Sequence, residues 1–244
     1  MIQIFAGAKE LARGAAQHFA DCCRQAVAAR GNFKVALSGG STPKLLYQLL
    51  SDPEEPFRDQ IAWSQIDFYW SDERHVSPDH ADSNYRMTNE ALLAHVPVAE
   101  DRVHRILGEK SNAAAAATAY EETLLETTGQ TLPRLDLILL GLGPDGHTAS
   151  IFPGSEVLQE TRRLVAAPWV EKFNTYRITM TLPLLNNGAS IVFLVSGPEK
   201  ARIVSEVLEG PKKYPAQAVE PTGGKLLWLF DEAAASRIST RFNE

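Results

Sequence analysis

The chain has 244 residues, of which 44% are hydrophobic and 22% charged, and carries a formal charge of −6. This balance excludes a disordered chain, and the acidic excess argues against a nucleic-acid-binding face while leaving room for a small basic pocket. The first twenty residues lack a basic segment followed by a continuous apolar one, and apolar runs such as Ile191–Val195 fall far short of the ~20 residues that span a bilayer, so a cytoplasmic protein without a membrane segment is expected.

A first strand is expected near residue 3. Lys9–Arg30 reads as a helix that Gly31 stops at its C-terminal cap. The two cysteines, Cys22 and Cys23, are neighbours inside it. A disulfide between them would be strained, so ordinary helix packing is expected. Val35–Leu37 is a strand, followed by a helix over Pro43–Leu50 with Thr42 as N-cap and Pro43 in the first helical position. Strand Ile66–Trp70 and helix Asn84–His95 come next, then helix Ala113–Thr127, whose alanine run is good helix-forming sequence. Leu135–Leu140 is a strand. Arg177, Thr179 and Thr181 alternate with Ile178, Met180 and Leu182 as in a strand with two distinct faces. Strand Ile191–Val195, helix Glu199–Leu208 and strand Leu226–Phe230 complete the series. The rhythm predicts an α/β fold, a single-domain open, mostly parallel sheet with helices on both faces. No repeat or biased linker divides the chain, so one domain over 1–244 is expected.

Ligands of open α/β sheets sit beyond the carboxyl ends of the strands, which directs attention to the loops leaving them. In the first, Ser38–Pro43, Gly39 and Gly40 let backbone N–H groups approach an anion. Ser41 and Thr42 add hydroxyls near the positive end of a helix dipole. No Gly-Lys-Ser/Thr follows, so it is not a P-loop, and a tight turn without a ligand is the plain alternative. The second loop, Leu140–Gly154, presents His147 between glycines. Its Gly-x-Gly-x-x-Gly pattern is not read as a dinucleotide fingerprint, because Pro144 and Pro153 deny it a helix. In the third, Val195–Lys200, Lys200 falls in the first turn of a helix, where an anionic ligand would offset its unfavourable place in the dipole. The segment Trp70–Val76 reads as a charged loop. Its Arg74 offers a planar fork to phosphate oxygens, and the neighbouring carboxylates can orient it. Asp72, His75, Asp79 and His80 match no strong metal spacing, so no metal site is predicted.

These segments together resemble the 6-phosphogluconolactonase family over nearly the whole chain. The motifs are Leu-Ser-Gly-Gly-Ser-Thr-Pro at 37–43, Ser-Asp-Glu-Arg at 71–74, Ser-Asn-Tyr at 83–85, Gly-Leu-Gly-Pro-Asp-Gly-His-Thr-Ala-Ser at 141–150 and Arg-Ile-Thr-Met-Thr-Leu-Pro at 177–183. The resemblance implies a Rossmann-like, NagB-type sheet and hydrolysis of 6-phospho-D-glucono-1,5-lactone in the pentose phosphate pathway. His147 would be the general base, and Arg74 and Lys200 the phosphate contacts. Gly39, Gly40, Ser41, Thr42, Asp72, Gly143, Asp145, Gly146 and Arg177 would surround the substrate. It implies no cofactor and no metal, a small phosphorylated sugar lactone as partner, and neither nucleic acid nor membrane; the oligomeric state stays open. The chain departs from the family at Phe173–Tyr176, where many relatives are proline-rich. Two rival readings share the architecture. An amino-sugar-phosphate isomerase or deaminase would need an acidic residue where Phe152 stands, and a sugar-phosphate sensor would need a DNA-reading module.

Overall fold

The computed structural model describes residues 1–239. The chain runs β1 (Ile2–Phe5), α1 (Ala8–Arg30), β2 (Phe33–Leu37), α2 (Ser41–Ser51), α3 (Phe57–Gln60) and β3 (Ile66–Trp70). It continues with β4 (Asp72–Arg74), α4 (Asn84–Ala91), α5 (Ala113–Thr128), β5 (Leu137–Leu140), β6 (Val165–Ala166), β7 (Trp169–Val170) and β8 (Thr175–Met180). Then follow α6 (Leu182–Leu185), β9 (Ser190–Val195), α7 (Ala201–Glu209), β10 (Lys225–Asp231) and α8 (Glu232–Ala235).

Six strands form one parallel sheet in the order β1-β10-β9-β5-β2-β3. Every residue of β5 and β9 is buried, which requires cover on both faces and explains their unbroken apolar sequences. Phe19 meets Phe33 edge-on, and Phe193 stacks on Trp228 at 3.8 Å between ring centroids. The expected α/β sheet with packed helices is therefore the one observed. Strand β2 pairs with β3 on one side and β5 on the other, so the loops leaving β2 and β5 diverge above the sheet. That divergence is the switch point where open α/β sheets hold ligands.

A second, antiparallel sheet, β4-β8-β6 with β7 also on β8, stands beyond these carboxyl ends. Ser71 ties the two together: its N–H donates to Leu37 O at 2.8 Å and its carbonyl accepts from Met180 N at 2.8 Å.

Four local expectations are corrected. Residues 72–74 form strand β4 rather than a charged loop, because β8 supplies ladder partners: Asp72 opposite Thr179 and Arg74 opposite Arg177. Helix α2 starts at Ser41 with Gly40 as N-cap, at φ 106° and ψ 167°, a conformation open to glycine that moves the start ahead of Thr42. Helix α4 ends at Ala91, where buried Leu92 leaves helical geometry at φ −138° before a 3₁₀ turn over Leu93–His95. Lys200 closes a 3₁₀ turn, Pro198–Lys200, and caps α7 instead of lying inside its first turn. The cysteines pack in α1 as free thiols. Among the described residues no helix is long and apolar enough to cross a membrane.

Candidate active site

At the switch point lies a cleft of about 260 Å³, lined by the loop after β2, the loop after β5, the turn before α7 and residues of β4. One wall is the start of α2. The N–H groups of Ser41 and Thr42 precede any intrahelical acceptor, so they face the cleft as anion donors at the positive end of the helix. Gly39 is required by contact: a Cβ there would lie 1.9 Å from Asn84 Oδ1. Ser38 Oγ also lines the cleft, buried and without a protein partner among the described residues.

The opposite wall is the His147 loop, and the chain holds it at several points. Gly143 N donates to His147 O at 2.8 Å, Gly146 N to Gly143 O at 3.0 Å, and Thr148 Oγ1 to Gly141 O at 2.9 Å. Lys200 Nζ donates to Leu142 O at 2.8 Å, and Ala216 N to Gly146 O at 3.0 Å. Since Gly143 and Gly146 spend their N–H groups inside the loop, neither serves as a donor to a bound carbonyl oxygen. Gly143 must lack a side chain, because a Cβ would lie 2.0 Å from His147 Nδ1.

His147 Nδ1 meets Asp145 Oδ1 at 2.5 Å. An ionised carboxylate only accepts, so this contact places the imidazole proton on Nδ1 and leaves a lone pair on Nε2. Burial works against the Asp145 carboxylate, but the hydrogen bond and charge of His147 outweigh it and hold Asp145 below the usual carboxylate range. Phe152 stacks on the imidazole at 4.1 Å and 27°. Burial lowers the Lys200 ammonium, with Glu199 and Asp145 opposing the shift.

The small sheet supplies the third side. Asp72 is buried and accepts from Ser150 Oγ at 2.6 Å and from Asn84 Nδ2 at 3.2 Å. Glu73 faces away from the cleft and accepts the N–H groups of Arg74, Asn84 and Tyr85 at 2.7–2.8 Å, tying β4 to the start of α4. Burial nevertheless raises its carboxyl, against those three donors. Arg74 is thereby carried to the cleft wall, where it also donates to Asp82 O.

Gly39, Gly40, Ser41, Thr42, Asp72, Arg74, Gly143, His147 and Lys200 thus meet in one cleft. Asp145 stands behind His147, Gly146 packs against Tyr214, and Arg177 lies beside Arg74 under the Phe173 ring, all three off the cleft wall. Burial and then the Arg74 charge lower the Arg177 guanidinium. Sequence reasoning missed Ser38, Asn84, Ser196 and Glu199 as lining residues. Asn84 stood in the Ser-Asn-Tyr motif and Ser38 beside the glycines, so position relative to a motif was the available signal. Ser150, in the same loop as His147, donates its hydroxyl to Asp72 at 2.6 Å. Among the described residues no group of three or more His, Cys, Asp or Glu side chains is arranged to hold a metal ion.

The fold and cleft define an α/β protein with an anion-binding helix start and a carboxylate-backed histidine at the switch point. A family model described as glucosamine-6-phosphate isomerases/6-phosphogluconolactonase matches residues 6–228, and the chain belongs to that family. It is 38% identical to a 6-phosphogluconolactonase of Nostoc sp. over 220 residues, covering 88% of each chain. It superposes on the solved structure of 6-phosphogluconolactonase from Trypanosoma cruzi with a TM-score of 0.85 at 29% identity, over 98% of this chain and 96% of that one. A monomeric glucosamine-6-phosphate deaminase shares the fold with a TM-score of 0.80 at 23% identity, covering 97% and 99%.

Proposed function

We propose that this chain hydrolyses 6-phospho-D-glucono-1,5-lactone to 6-phospho-D-gluconate, the lactonase step of the oxidative pentose phosphate pathway, with residues 1–244 acting as one catalytic unit. The observation that carries the reading is the Asp145–His147 pair in a cleft that also holds Arg74, Lys200 and the start of α2. His147 Nε2 takes a proton from water as the oxygen adds to the lactone carbonyl, while Asp145 holds the imidazolium. The tetrahedral intermediate then collapses. The ring C–O bond breaks, and the departing oxygen recovers the proton from Nε2 and becomes the hydroxyl at C5. The acid formed loses its proton to solvent.

Arg74, Lys200, Ser41 and Thr42 hold the phosphate and so fix the reactive carbonyl, which lowers the entropic part of the barrier. Asp72, anchored by Ser150 and Asn84, keeps lone pairs for sugar hydroxyls. The reading places the enzyme in the cytoplasm, because a doubly charged sugar phosphate does not cross a bilayer unaided.

Phe152 weighs against the aminosugar chemistry of the wider family, since an apolar ring stacks on the base where a proton-shuttling carboxylate would be needed. Parallel assays separate the two. Purified protein should accelerate acid release from 6-phosphogluconolactone above its spontaneous rate and release no ammonia from glucosamine 6-phosphate. Ammonia release without lactonase activity would overturn the assignment.

A further inference from the structure

Phe173–Tyr176 belongs to the hairpin formed by β7 and β8. The tip closes with Asn174 in left-handed geometry at φ 47° and its N–H donating to Glu171 O at 3.0 Å. The tip is not held as core, for Trp169, Phe173 and Tyr176 remain 47%, 46% and 43% exposed.

One tip side chain nevertheless reaches the Asp145–His147 pair directly, and a second reaches it through Phe152. Lys172 Nζ lies 3.6 Å from Asp145 Oδ2, the oxygen that His147 leaves unused. The Phe173 ring meets Phe152 edge-on, with centroids 6.0 Å apart at 69°, and Phe152 in turn stacks on His147. From β8, the Arg177 guanidinium sits 5.1 Å from the centre of the Phe173 ring. Its Nε and Nη1 are buried with no hydrogen-bond partner among the described residues, so the ring face stands where an oxygen acceptor would otherwise be needed.

We propose that this hairpin tip is the positioning element of the Asp145–His147 pair: Lys172 holds the outer oxygen of Asp145, and Phe173, acting through Phe152, holds the plane of the imidazole. A carboxylate engaged at one oxygen can still rotate about its last torsion. Engaged at both, it presents Oδ1 to Nδ1 in one orientation. The stack does the same for the ring, whose rotation would swing Nε2 away from the attacking water. Lys172 and Phe173 touch neither, so both act through the pair.

The same contacts set a charge balance. The groups facing the pair are Lys172 from the hairpin, Lys200 and Glu199 from the turn before α7, Arg177 beneath Phe173, and Tyr214, which packs on Gly146 and bonds Glu206. An ammonium at Lys172 opposes the imidazolium.

The proposal rests on the lactonase reading for its kinetic consequence only, and the test has an arm free of activity. In the full-length protein, Lys172→Met and Phe173→Ala are compared with Lys172→Arg and Phe173→Tyr. Both truncations are at exposed positions and should melt near the parent temperature. We expect kcat to fall roughly tenfold in the truncations with KM within about twofold, and to recover in the conservative variants. Proton NMR of the His147 Nδ1–H without substrate should show a resonance protected from solvent exchange in the parent and broadened by exchange in Lys172→Met, where Asp145 is free to turn away. An unchanged Nδ1–H resonance together with an unchanged kcat would overturn the proposal, as would losses of equal size in Lys172→Arg. A parent that lacks lactonase activity but shows the Lys172-dependent Nδ1–H resonance would break the functional reading and leave the positioning contact standing.

Discussion

The two ends of the parallel sheet each gather a histidine, carboxylates and cations, and only one end is built to act on a ligand. At the amino ends of the strands, a groove of about 480 Å³ is lined by His18, Asp21, Cys22, Arg30, Asp136, Ser190 and Lys225. Several of its groups satisfy one another. Arg30 pairs with Asp136 at 2.5 Å, Asp136 also accepts from Lys34 N at 2.9 Å, and His18 Nε2 contacts Ser190 Oγ at 3.0 Å. Burial pushes the Cys22 thiol up to about 11, which keeps it protonated and inert. At the carboxyl ends the cleft is smaller, yet its histidine has a carboxylate behind Nδ1, an unengaged Nε2 and an arginine, a lysine and a helix start around it. The difference follows from handed packing. Helices run antiparallel to the strands they follow, so positive helix ends collect where strands finish and negative ones where strands begin. An anionic substrate belongs at the first end whatever the groove sizes.

This contrast breaks most visibly at His147. His147→Asn keeps a polar side chain of similar reach and removes the base, so kcat should fall by on the order of 10²–10⁴ with KM little changed. Asp145→Asn, which no longer favours the proton on Nδ1, should lower kcat by on the order of 10². Stopped-flow rates corrected for spontaneous hydrolysis measure both. A near-parent rate in folded His147→Asn would send the search for the base to Asp72, the carboxylate on the cleft wall. The pH profile sharpens the same point. Asp145 lies below the usual carboxylate range, so it stays ionised throughout the region where an imidazole titrates, and the acid limb of kcat belongs to the imidazole. That limb should vanish from the residual rate of His147→Asn.

Arg74→Ala and Lys200→Ala come next in size. Each removes a charge-assisted contact, and kcat/KM for the phosphorylated lactone should drop ~10- to 100-fold. The phosphate-free lactone should lose far less, and equal losses on both would show that these cations do not read the phosphate.

The smallest effect is expected at the other end of the sheet. His18→Gln should leave kcat within about twofold while changing how stability responds to acid. Burial holds His18 below the ordinary histidine value, with Asp21 opposing and Lys225 reinforcing. The unfolded chain therefore takes up a proton that the folded one resists. The contribution is complete above the unfolded value of roughly 6.5 and is lost as pH falls from there through the folded value. Calorimetry from about pH 7.5 to about pH 5 should show the parent Tm falling some 1–3 °C more than that of the variant. A kcat loss rivalling that of His147→Asn would erase the contrast between the two ends.

Much of this molecule follows from short-range pattern. Contiguous apolar runs such as Ile191–Val195 can only be strands buried on both faces, and Gly31, at φ 77°, stops α1 where a left-handed cap is needed. The glycine loops and His147 were legible for the same reason, since a strand end, a tight turn and a helix start lie within a few residues of one another. Tertiary structure decided the rest. Strands β4, β6 and β7 are two or three residues long, carry no readable period, and exist because β8 offers them ladder partners. Ser150 reaches Asp72 across 78 residues, and Lys172 reaches Asp145 from the β7–β8 hairpin. Local preference sets which residues bend, extend or coil. Which distant side chains then meet depends on how the whole core closes, and no window of sequence contains that.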